Sequence, residues 1–289
     1  MSAVAVGPLA GAARTRPDGW LADPLTTDQA LAAAEAAAIL QHRYPRADGP
    51  VRCLTARYRS AVFTVGSPPL AVLKRHADTA AYLGERLAYD LLTADQVLPA
   101  LRASCDTSRT LLVDYLPHTA DLTDRDTFDD LITLVARVHT ASARWPSPLR
   151  EPMATWRIDG TAVANPAWVD DTGAWREMLR LVEAAHGPAH VPLGNLDLNG
   201  DHVRPRGDGG LALVDVETLR PDVTGLPDVV TLAYLAGEIG HPRSGPWVRA
   251  RYVHHLRQLG ARWTDRDLLA ALRWFAAATG LESLHGLDR

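Results

Sequence analysis

The chain has 289 residues, of which 47% are hydrophobic and 22% are charged, and its formal net charge is -4. This length suits one two-lobed unit or two small domains, and the small net charge gives no indication of a nucleic-acid partner or of binding to a membrane surface. Charged residues, Gly or Pro interrupt the apolar stretches well before membrane-spanning length, so we expect no membrane association. Two cysteines, Cys53 and Cys105, are too few for a disulfide framework and indicate the reducing cytoplasm.

The first part of the chain combines two helical segments with several strand-like ones. Residues 1–26 are only mildly apolar and lack a basic start, which predicts a flexible N-terminal arm and not a signal peptide. The Ala-rich residues 27–42 predict a helix, and residues 79–93 predict a second one. Strands are predicted in VRCLTAR, AVFTVG, LAVLKRH and RTLLVDYL, and GSPP at 66–69 predicts the turn between the second and the third of them.

The rest of the chain has mainly helical patterns. Thr123 resembles a helix cap and is expected to begin the next helix. Further helices are predicted near 172–186, 226–239, 246–259 and 265–279, and LALVDV at 211–216 predicts a short buried strand. The expected fold class is therefore α+β, with a small β-rich N-lobe at 27–117 and a larger, mainly helical C-lobe at 118–289.

Lysine usage singles out one position in the chain. Of 30 basic residues, 29 are Arg and only Lys74 is Lys. A guanidinium cannot imitate a compact ammonium on a slender stem, so a single lysine in an Arg-rich chain indicates a site that needs it. Lys74 lies on the third predicted strand, and Glu85 follows eleven residues later in the second predicted helix. A strand lysine held by a helix glutamate fixes an ammonium against the α- and β-phosphates in kinase-type sites.

A second cluster of polar residues, NLDLNGDHV at 195–203, precedes the strand LALVDVE at 211–217. From about residue 50 to 240, the order and spacing of these motifs resemble the aminoglycoside-phosphotransferase and choline-kinase-like family. The resemblance implies a bilobal, protein-kinase-like fold and a kinase that transfers phosphate from ATP with Mg²⁺. It implies that Asp197 is the catalytic aspartate beside the accepting hydroxyl, that Asp215 binds the metal, and that Asp228 braces the catalytic loop.

The same resemblance implies where the nucleotide would lie. LLVDYLPH at 111–118 resembles the hinge, with backbone groups near Asp114 and Leu116 available to adenine. The first hairpin, TARYRSAVF, contains no glycine, so the backbone cannot approach the phosphates closely there. Arg57, Arg59 and Ser60 would cover the phosphates in its place, the two arginines electrostatically.

Several residues depart from the family pattern. Asn195 and Leu196 replace the histidine and glycine that usually precede the catalytic aspartate. His202 stands where the family has asparagine, its second metal ligand, although imidazole suits zinc, copper or nickel better than magnesium. His202 is thus expected to bind the metal weakly or to contact phosphate. A shifted register would align Asn195 with the catalytic aspartate and make the chain inactive, but it would lose the match of Asp197 and the following Leu198.

These departures support a second hypothesis, in which the chain is a catalytically impaired, kinase-like binding subunit with a protein partner in a biosynthetic complex. A third hypothesis is a calcium loop at DLNGDHVRPRGD, but His202 occupies the position that needs glycine. Residues 241–289 contain eight Arg against four acids, which argues against polycationic acceptors such as aminoglycosides. A neutral or anionic acceptor is expected, either a small molecule such as a sugar or nucleoside, or a peptide Ser/Thr.

Overall fold

The computed structural model describes residues 24–47, 49–164 and 166–289. Of the predicted N-terminal arm, residues 1–23 lie outside the described part of the chain. The described residues form a β-rich part followed by a mainly helical part. This arrangement confirms the α+β class expected from the sequence.

The β-rich part is a five-stranded antiparallel sheet with a helix on each face. Its elements are helix α1 (Gln29–Arg43), strands β1 (Val51–Ala56), β2 (Ser60–Val65) and β3 (Ala71–His76), helix α2 (Thr79–Leu92), and strands β4 (Leu101–Cys105) and β5 (Thr110–Asp114). The strands lie in the order β1-β2-β3-β5-β4, so β3 is central. Since side chains alternate along a strand, β3 presents Lys74 to one face of the sheet and its neighbour Arg75 to the other.

The helical part begins after β5. Its elements are helices α3 (Arg125–His139), α4 (Ser147–Arg150), α5 (Thr161–Ala164) and α6 (Thr172–His186), the short strands β6 (Val203–Pro205) and β7 (Leu211–Leu213), and helices α7 (Leu226–Glu238), α8 (Ser244–Gln258) and α9 (Asp265–Thr279). Strands β6 and β7 form a small antiparallel hairpin. The backbone N–H of Leu213 donates to Val97 of the β-rich part at 2.9 Å, which ties β7 to the segment between α2 and β4.

Two apolar cores flank the sheet. The smaller core lies between α1 and one sheet face, and it includes Leu40, Phe63 and Leu73. The larger core joins α2 and the other face to the helical part, with Phe128 and Trp175 fully buried. Burial of such side chains is the main stabilising contribution to each part, at about 1.5–3 kcal/mol for a large aliphatic or aromatic group. Lys74 points from the sheet toward the second core, where the two parts meet.

Two details differ from the sequence predictions. Strand β4 was not predicted, because LRASC is short, carries a charge and shows no long apolar alternation. The cap of α3 is Asp124 and not Thr123, since the Asp124 carboxylate accepts from the Thr127 N–H at 2.8 Å. The Thr123 hydroxyl donates instead to Asp121 at 2.6 Å.

Two further sequence expectations concern cysteines and the membrane. Cys53 and Cys105 are both free thiols. Among the residues that the structure describes, none of the helices combines the length and the hydrophobicity that a membrane span requires.

Candidate active site

Lys74 reaches from the sheet to both neighbouring elements. Its side chain is 9% exposed, and its Nζ donates to Glu85 Oε1 at 2.6 Å. The same Nζ donates to Asp215 Oδ1 at 3.1 Å and to the Val214 carbonyl at 3.2 Å. One ammonium therefore joins β3, helix α2 and the segment that follows β7.

Charge pairing outweighs burial at the pair of Lys74 and Glu85. Burial would raise the pKa of the fully buried Glu85 carboxyl, but the Lys74 ammonium and then His76 lower it to about 2. Burial would lower the pKa of Lys74, whereas Glu85 and Asp215 raise it above its ordinary value. Both groups are charged at neutral pH, so the Lys74 ammonium is a fixed positive charge at the junction of the three elements.

His76 and Glu217 extend this cluster, and the sequence analysis did not identify either of them. His76 Nε2 lies 2.9 Å from Glu85 Oε2, and its Nδ1 lies 3.3 Å from Glu217 Oε2. His76 follows Lys74 by two residues on the same strand, so both side chains share one face. That spacing of two was a usable signal that His76 lies near Lys74, whereas Glu217 follows the end of β7 and no local pattern marked it.

The loop before Asp197 is held by a buried carboxylate. Asp228, at the start of α7, accepts from the N–H of Asn195 at 3.0 Å and from the N–H of Leu196 at 2.8 Å. Its Oδ2 also contacts His139 Nε2 at 3.0 Å, and His139 Nδ1 contacts the Tyr252 hydroxyl at 2.6 Å. The histidine is thus a buried, hydrogen-bonded core residue. Asp228 occupies the bracing position that the sequence resemblance implied.

The backbone of this loop takes an uncommon conformation. Asn195 and Asp197 have φ values of 68° and 49°, in the left-handed region that is unfavourable for most side chains. Gly194 pairs with Arg220 in an isolated bridge, and a Cβ on Gly194 would lie only 2.2 Å from the Thr224 carbonyl oxygen. The surrounding contacts hold the loop in this conformation, which aims Asp197 out of the core.

Asp197, His202 and Asp215 lie in one neighbourhood. The Asp197 side chain is exposed, and its carbonyl accepts from His202 Nδ1 at 3.0 Å. His202 Nε2 lies 3.7 Å from Asp215 Oδ2, and the Asp215 side chain is 39% exposed. Residue 202 therefore faces the carboxylate that was predicted to bind the metal. The placement of His202 beside Asp215 is consistent with the preferred sequence register, and the assignment of Asp197 as the catalytic aspartate stays a prediction.

Asp215 is the residue of this neighbourhood whose donor atoms would suit a hard cation, and His202 beside it offers a different kind of donor. A half-exposed carboxylate is a good ligand for Mg²⁺, which prefers oxygen donors. His202 offers nitrogen, which Mg²⁺ disfavours. The neighbouring Asn199 uses its Oδ1 to accept from the Asp201 N–H at 2.9 Å, so this amide oxygen is already engaged.

One backbone group of the predicted hinge already has a partner within the sheet. The Asp114 N–H donates to the Ala100 carbonyl at 2.9 Å, and the Asp114 carboxylate pairs with Arg102 at 2.6 Å. The Tyr115 N–H donates to Leu70 at 3.3 Å. The Asp114 N–H is therefore engaged within the sheet, and adenine contact by other backbone groups near Asp114 and Leu116 stays a prediction. Asp114 and Leu116 line a cavity of about 600 Å³ whose lining does not include Lys74 or Asp215.

The first hairpin carries its predicted residues at the tip. Arg57 and Arg59 are exposed, and Ser60 begins β2. The Arg57 N–H donates to the Ser60 carbonyl at 3.0 Å, which closes the turn. The Arg59 carbonyl accepts from the Ala77 N–H at 2.8 Å, so the tip is tied to the end of β3. Phosphate covering by these residues stays a prediction.

A larger cavity, of about 810 Å³, opens beside the loop that carries Asn195. Asn195 contributes to its wall, together with residues of α7, of α9 and of the segment after α9. Most of the large side chains are apolar or aromatic, and the lining also includes Arg220, Glu282 and His285. Arg220 is already paired with both oxygens of Asp222, at 2.8 and 2.5 Å. The remaining walls are Trp168, Val223, Pro227, Val230, Thr231, Tyr234, Phe275, Thr279, Gly280, Leu281 and Ser283.

Trp156, Trp168 and Trp175 divide between this cavity and the core. Trp168 lines the cavity, and it makes an edge-on contact with Trp175 at 5.1 Å between ring centroids. Trp175 is fully buried and donates to the Val163 carbonyl at 2.9 Å. Trp156 packs, partly buried, against the larger core. One of the three thus lines the cavity.

The calcium-loop hypothesis finds little support in the geometry. Asp208 would be the twelfth ligand position, but its carboxylate pairs with Arg206 at 2.7 Å at the β6–β7 turn. Residues Gly200–His202 form a short 3₁₀ turn that leads directly into β6. His202, at the position that needs glycine, points to Asp197 and Asp215 as described above.

Comparison with known proteins gives similarity to solved structures. A macrolide 2'-phosphotransferase from Brachybacterium faecium has 16% identity, covers 88% of this chain and 96% of its own, and has a TM-score of 0.49. A choline kinase from Streptococcus pneumoniae has 12% identity, with coverage of 84% and 99% and a TM-score of 0.43. A GDP complex of an aminoglycoside 2'-phosphotransferase variant has 13% identity, with coverage of 89% and 92% and a TM-score of 0.49.

No protein-family model matches this chain, and no curated protein sequence matches it. The similar structures include both kinds of enzyme that the sequence resembles, an aminoglycoside phosphotransferase and a choline kinase.

Proposed function

We propose that this chain is an ATP-dependent phosphotransferase that moves the γ-phosphoryl group onto a hydroxyl group of a small molecule. The observation that carries the proposal is the position of Lys74, whose Nζ lies within 3.1 Å of Asp215 and 2.6 Å of Glu85. A buried ammonium beside a half-exposed carboxylate suits a metal-bound polyphosphate, because it supplies a fixed positive charge next to an oxygen ligand.

Each residue of the site has a defined part in this proposal. Lys74, held by Glu85, binds the α- and β-phosphates. Asp215 would hold Mg²⁺, with His202 as its neighbour, and the ion would neutralise charge on the phosphates when bound. Arg57, Arg59 and Ser60 would cover the phosphates from the hairpin, and the backbone near Leu116 would contact the base.

Asp197 orients the acceptor and takes its proton. A bond forms between the acceptor oxygen and the γ-phosphorus as the bond from that phosphorus to the β–γ bridging oxygen breaks, and ADP leaves. The acceptor's hydroxyl proton passes to the Asp197 carboxylate late in the reaction. This division suits phosphoryl transfer, in which positioning and charge neutralisation supply most of the rate acceleration.

The cavity beside Asn195 supports a small-molecule acceptor. Its volume of about 810 Å³ is within the range of drug-sized ligand sites. Glu282 is the acidic residue of its lining, and Arg220 is neutralised by Asp222. Polycations are recognised by several carboxylates, so these walls favour a neutral, partly apolar hydroxyl compound over a polycationic one.

One observation favours a second candidate function, a catalytically impaired binding subunit. His202 lies 3.7 Å from Asp215 at the position where the resemblance implies an oxygen ligand. If that nitrogen prevents productive metal binding, the chain would bind nucleotide without transferring phosphate.

A transfer assay separates the two functions. The chain is incubated with γ-³²P-labelled ATP, Mg²⁺ and a panel of neutral, anionic and polycationic hydroxyl compounds, beside Asp197→Asn as the matched variant. The first proposal predicts label on at least one acceptor, loss of transfer in Asp197→Asn by about 10²–10⁴-fold, and unchanged ATP affinity in that variant. ATP binding without transfer to any compound would support the binding subunit, and full transfer by Asp197→Asn would refute the role of Asp197.

A further inference from the structure

His76 belongs to the Lys74 cluster, but the proposed reaction gives it no role. His76 is 1% exposed, at the end of the central strand β3. Its two ring nitrogens face two different carboxylates, Glu85 at 2.9 Å and Glu217 at 3.3 Å. Glu85 belongs to helix α2, whereas Glu217 follows β7 in the other part of the chain. The imidazole therefore stands between the two parts.

The charges around the ring favour a doubly protonated imidazole. The titratable groups that face it are Glu85, Glu217, Lys74 and the Tyr82 ring, which lies 6.3 Å away between centroids. Without a charge on His76, the carboxylates of Glu85 and Glu217 would repel each other near a buried site. Burial would lower the pKa of His76, but Glu217 and Glu85 raise it to about 9. The contacts are close charge pairs and not well-aligned hydrogen bonds.

Backbone packing at the same place supports a tight junction. Gly84 of α2 lies against the Glu217 main chain, and a Cβ on Gly84 would be 3.1 Å from the Glu217 carbonyl oxygen. Helix α2 thus approaches the segment after β7 both through this glycine and through the side chains of the cluster. A shift of α2 away from Glu217 would also move Glu85, which is the partner of Lys74.

We propose that His76 is a positioning residue, an imidazolium that bridges Glu85 and Glu217 and so fixes helix α2 against the segment that carries Asp215. It touches neither the nucleotide nor the acceptor. It acts through Glu85 and Lys74, so the activity part of this inference rests on the proposed function.

The three side chains could also surround a metal ion, since one ligand atom from each lies within 4.8 Å of the others. The bridge explains the geometry better, because the nearest nitrogen to each carboxylate is a different one. A single ion can use only one of the two ring nitrogens.

The test uses His76→Gln, Glu217→Gln and the double variant in the full chain. His255→Gln is the matched control, because His255 is also buried and pairs with a carboxylate, Asp129, at 3.2 Å. The ATP–Mg²⁺ affinity is measured by calorimetry, and KM and kcat by the transfer assay. The protonation of the His76 ring is read from its nitrogen NMR shifts at pH 7.5.

The bridge predicts that each single variant weakens ATP binding by about tenfold and that the double variant is no weaker than the singles, because the two residues act as one unit. It predicts that both ring nitrogens of His76 are protonated at pH 7.5, and that His255→Gln leaves affinity unchanged. The bridge would be overturned by additive losses in the double variant, by an unchanged affinity in Glu217→Gln or by a neutral His76 ring. It would also be overturned if the wild type bound one equivalent of zinc and His76→Gln did not.

The NMR readout separates this inference from the proposed function. If the wild-type chain binds no ATP, the proposed function fails, and the ring protonation of His76 still decides the bridge. The decisive comparison is then Glu217→Gln, in which the ring must lose its proton at a lower pH than in the wild type. An unchanged titration of His76 in that variant would overturn the bridge.

Discussion

Lys74 and Asp215 are 141 positions apart in the chain, and their side chains meet at 3.1 Å. The lysine comes from the central strand of the sheet, and the aspartate follows the small hairpin of the helical part. Glu85 lies on the other side of the ammonium and is fully buried. The two parts of the chain are thus joined by charged groups at the place where the proposed nucleotide would bind.

Replacing Lys74 with Met should destabilise the fold strongly. The change leaves the fully buried Glu85 without its main partner, and removal of one member of a buried pair costs about 3–5 kcal/mol. The double variant Lys74→Met with Glu85→Leu should recover much of that loss, since no buried charge is left unpaired. Chemical denaturation measures both. Equal destabilisation in the single and double variants would show that the pair is not what the change disrupts.

Replacing Asp228 with Asn should weaken both stability and transfer. The carboxylate accepts from two backbone N–H groups of the loop before Asp197, and an amide would turn a donor toward one of them. Leaving that buried N–H unsatisfied costs about 1–3 kcal/mol and frees the loop that positions Asp197. Asp95→Asn is the control. Asp95 is also buried and pairs with a residue distant in the sequence, Arg144, in place of the backbone N–H groups that Asp228 binds. A loss of kcat in Asp95→Asn as large as that in Asp228→Asn would contradict a specific role of Asp228.

Stability should fall as the pH rises from 6.5 to 9, partly because of His76. Its pKa is raised from 6.5 to about 9 in the folded chain, so the folded state holds the proton more tightly than the unfolded chain does. The stabilisation is complete below pH 6.5 and is lost as the pH approaches 9, by about 3 kcal/mol. His186 is buried and its pKa is lowered to about 4, so its titration changes the stability only below pH 6.5.

Urea unfolding at pH 6 and pH 9 measures this effect. His76→Gln should show a smaller loss of stability between the two values than the wild type, because it has no proton to lose there. Identical pH profiles for the two proteins would exclude His76 as the titrating group.

Replacing His202 with Asn should improve the use of magnesium. The asparagine would present an amide oxygen near Asp215, where the imidazole now lies 3.7 Å away, and Mg²⁺ prefers oxygen. We expect a higher kcat and half-saturation at a lower Mg²⁺ concentration, measured in the transfer assay at saturating ATP. A fall in kcat would instead mean that His202 has its own part in transfer, such as a contact to phosphate.

Sequence patterns predicted the elements with strong periodicity or clear boundaries. The long helices α6 and α9 begin and end where their apolar spacing and caps indicate, at Thr172–His186 and Asp265–Thr279. The pairing of Lys74 with Glu85 could be inferred from lysine usage and from the strand-to-helix spacing. Contacts between residues far apart in the sequence could not be inferred, because no local pattern encodes which carboxylate reaches a given strand residue.

His76 and Glu217 illustrate that limit. Each is an ordinary polar residue in its local sequence, and only their tertiary meeting at 3.3 Å distinguishes them. The partner of the Asp114 N–H could not be inferred, because RTLLVDYL predicts a strand but does not show its neighbours. Strand β4, which the sequence did not reveal, places Ala100 where its carbonyl accepts from that N–H.

The most direct test of the central claim is calorimetric titration of the chain with ATP and Mg²⁺, in the wild type and in Asp215→Asn, with Arg75→Met as the control. Arg75 adjoins Lys74 but pairs with Glu35 of α1, on the opposite face of the sheet, at 2.5 Å. We expect saturable binding of ATP and Mg²⁺ by the wild type and by Arg75→Met, and at least about tenfold weaker binding by Asp215→Asn. Equal affinity in all three proteins, or no binding by the wild type, would contradict the central claim.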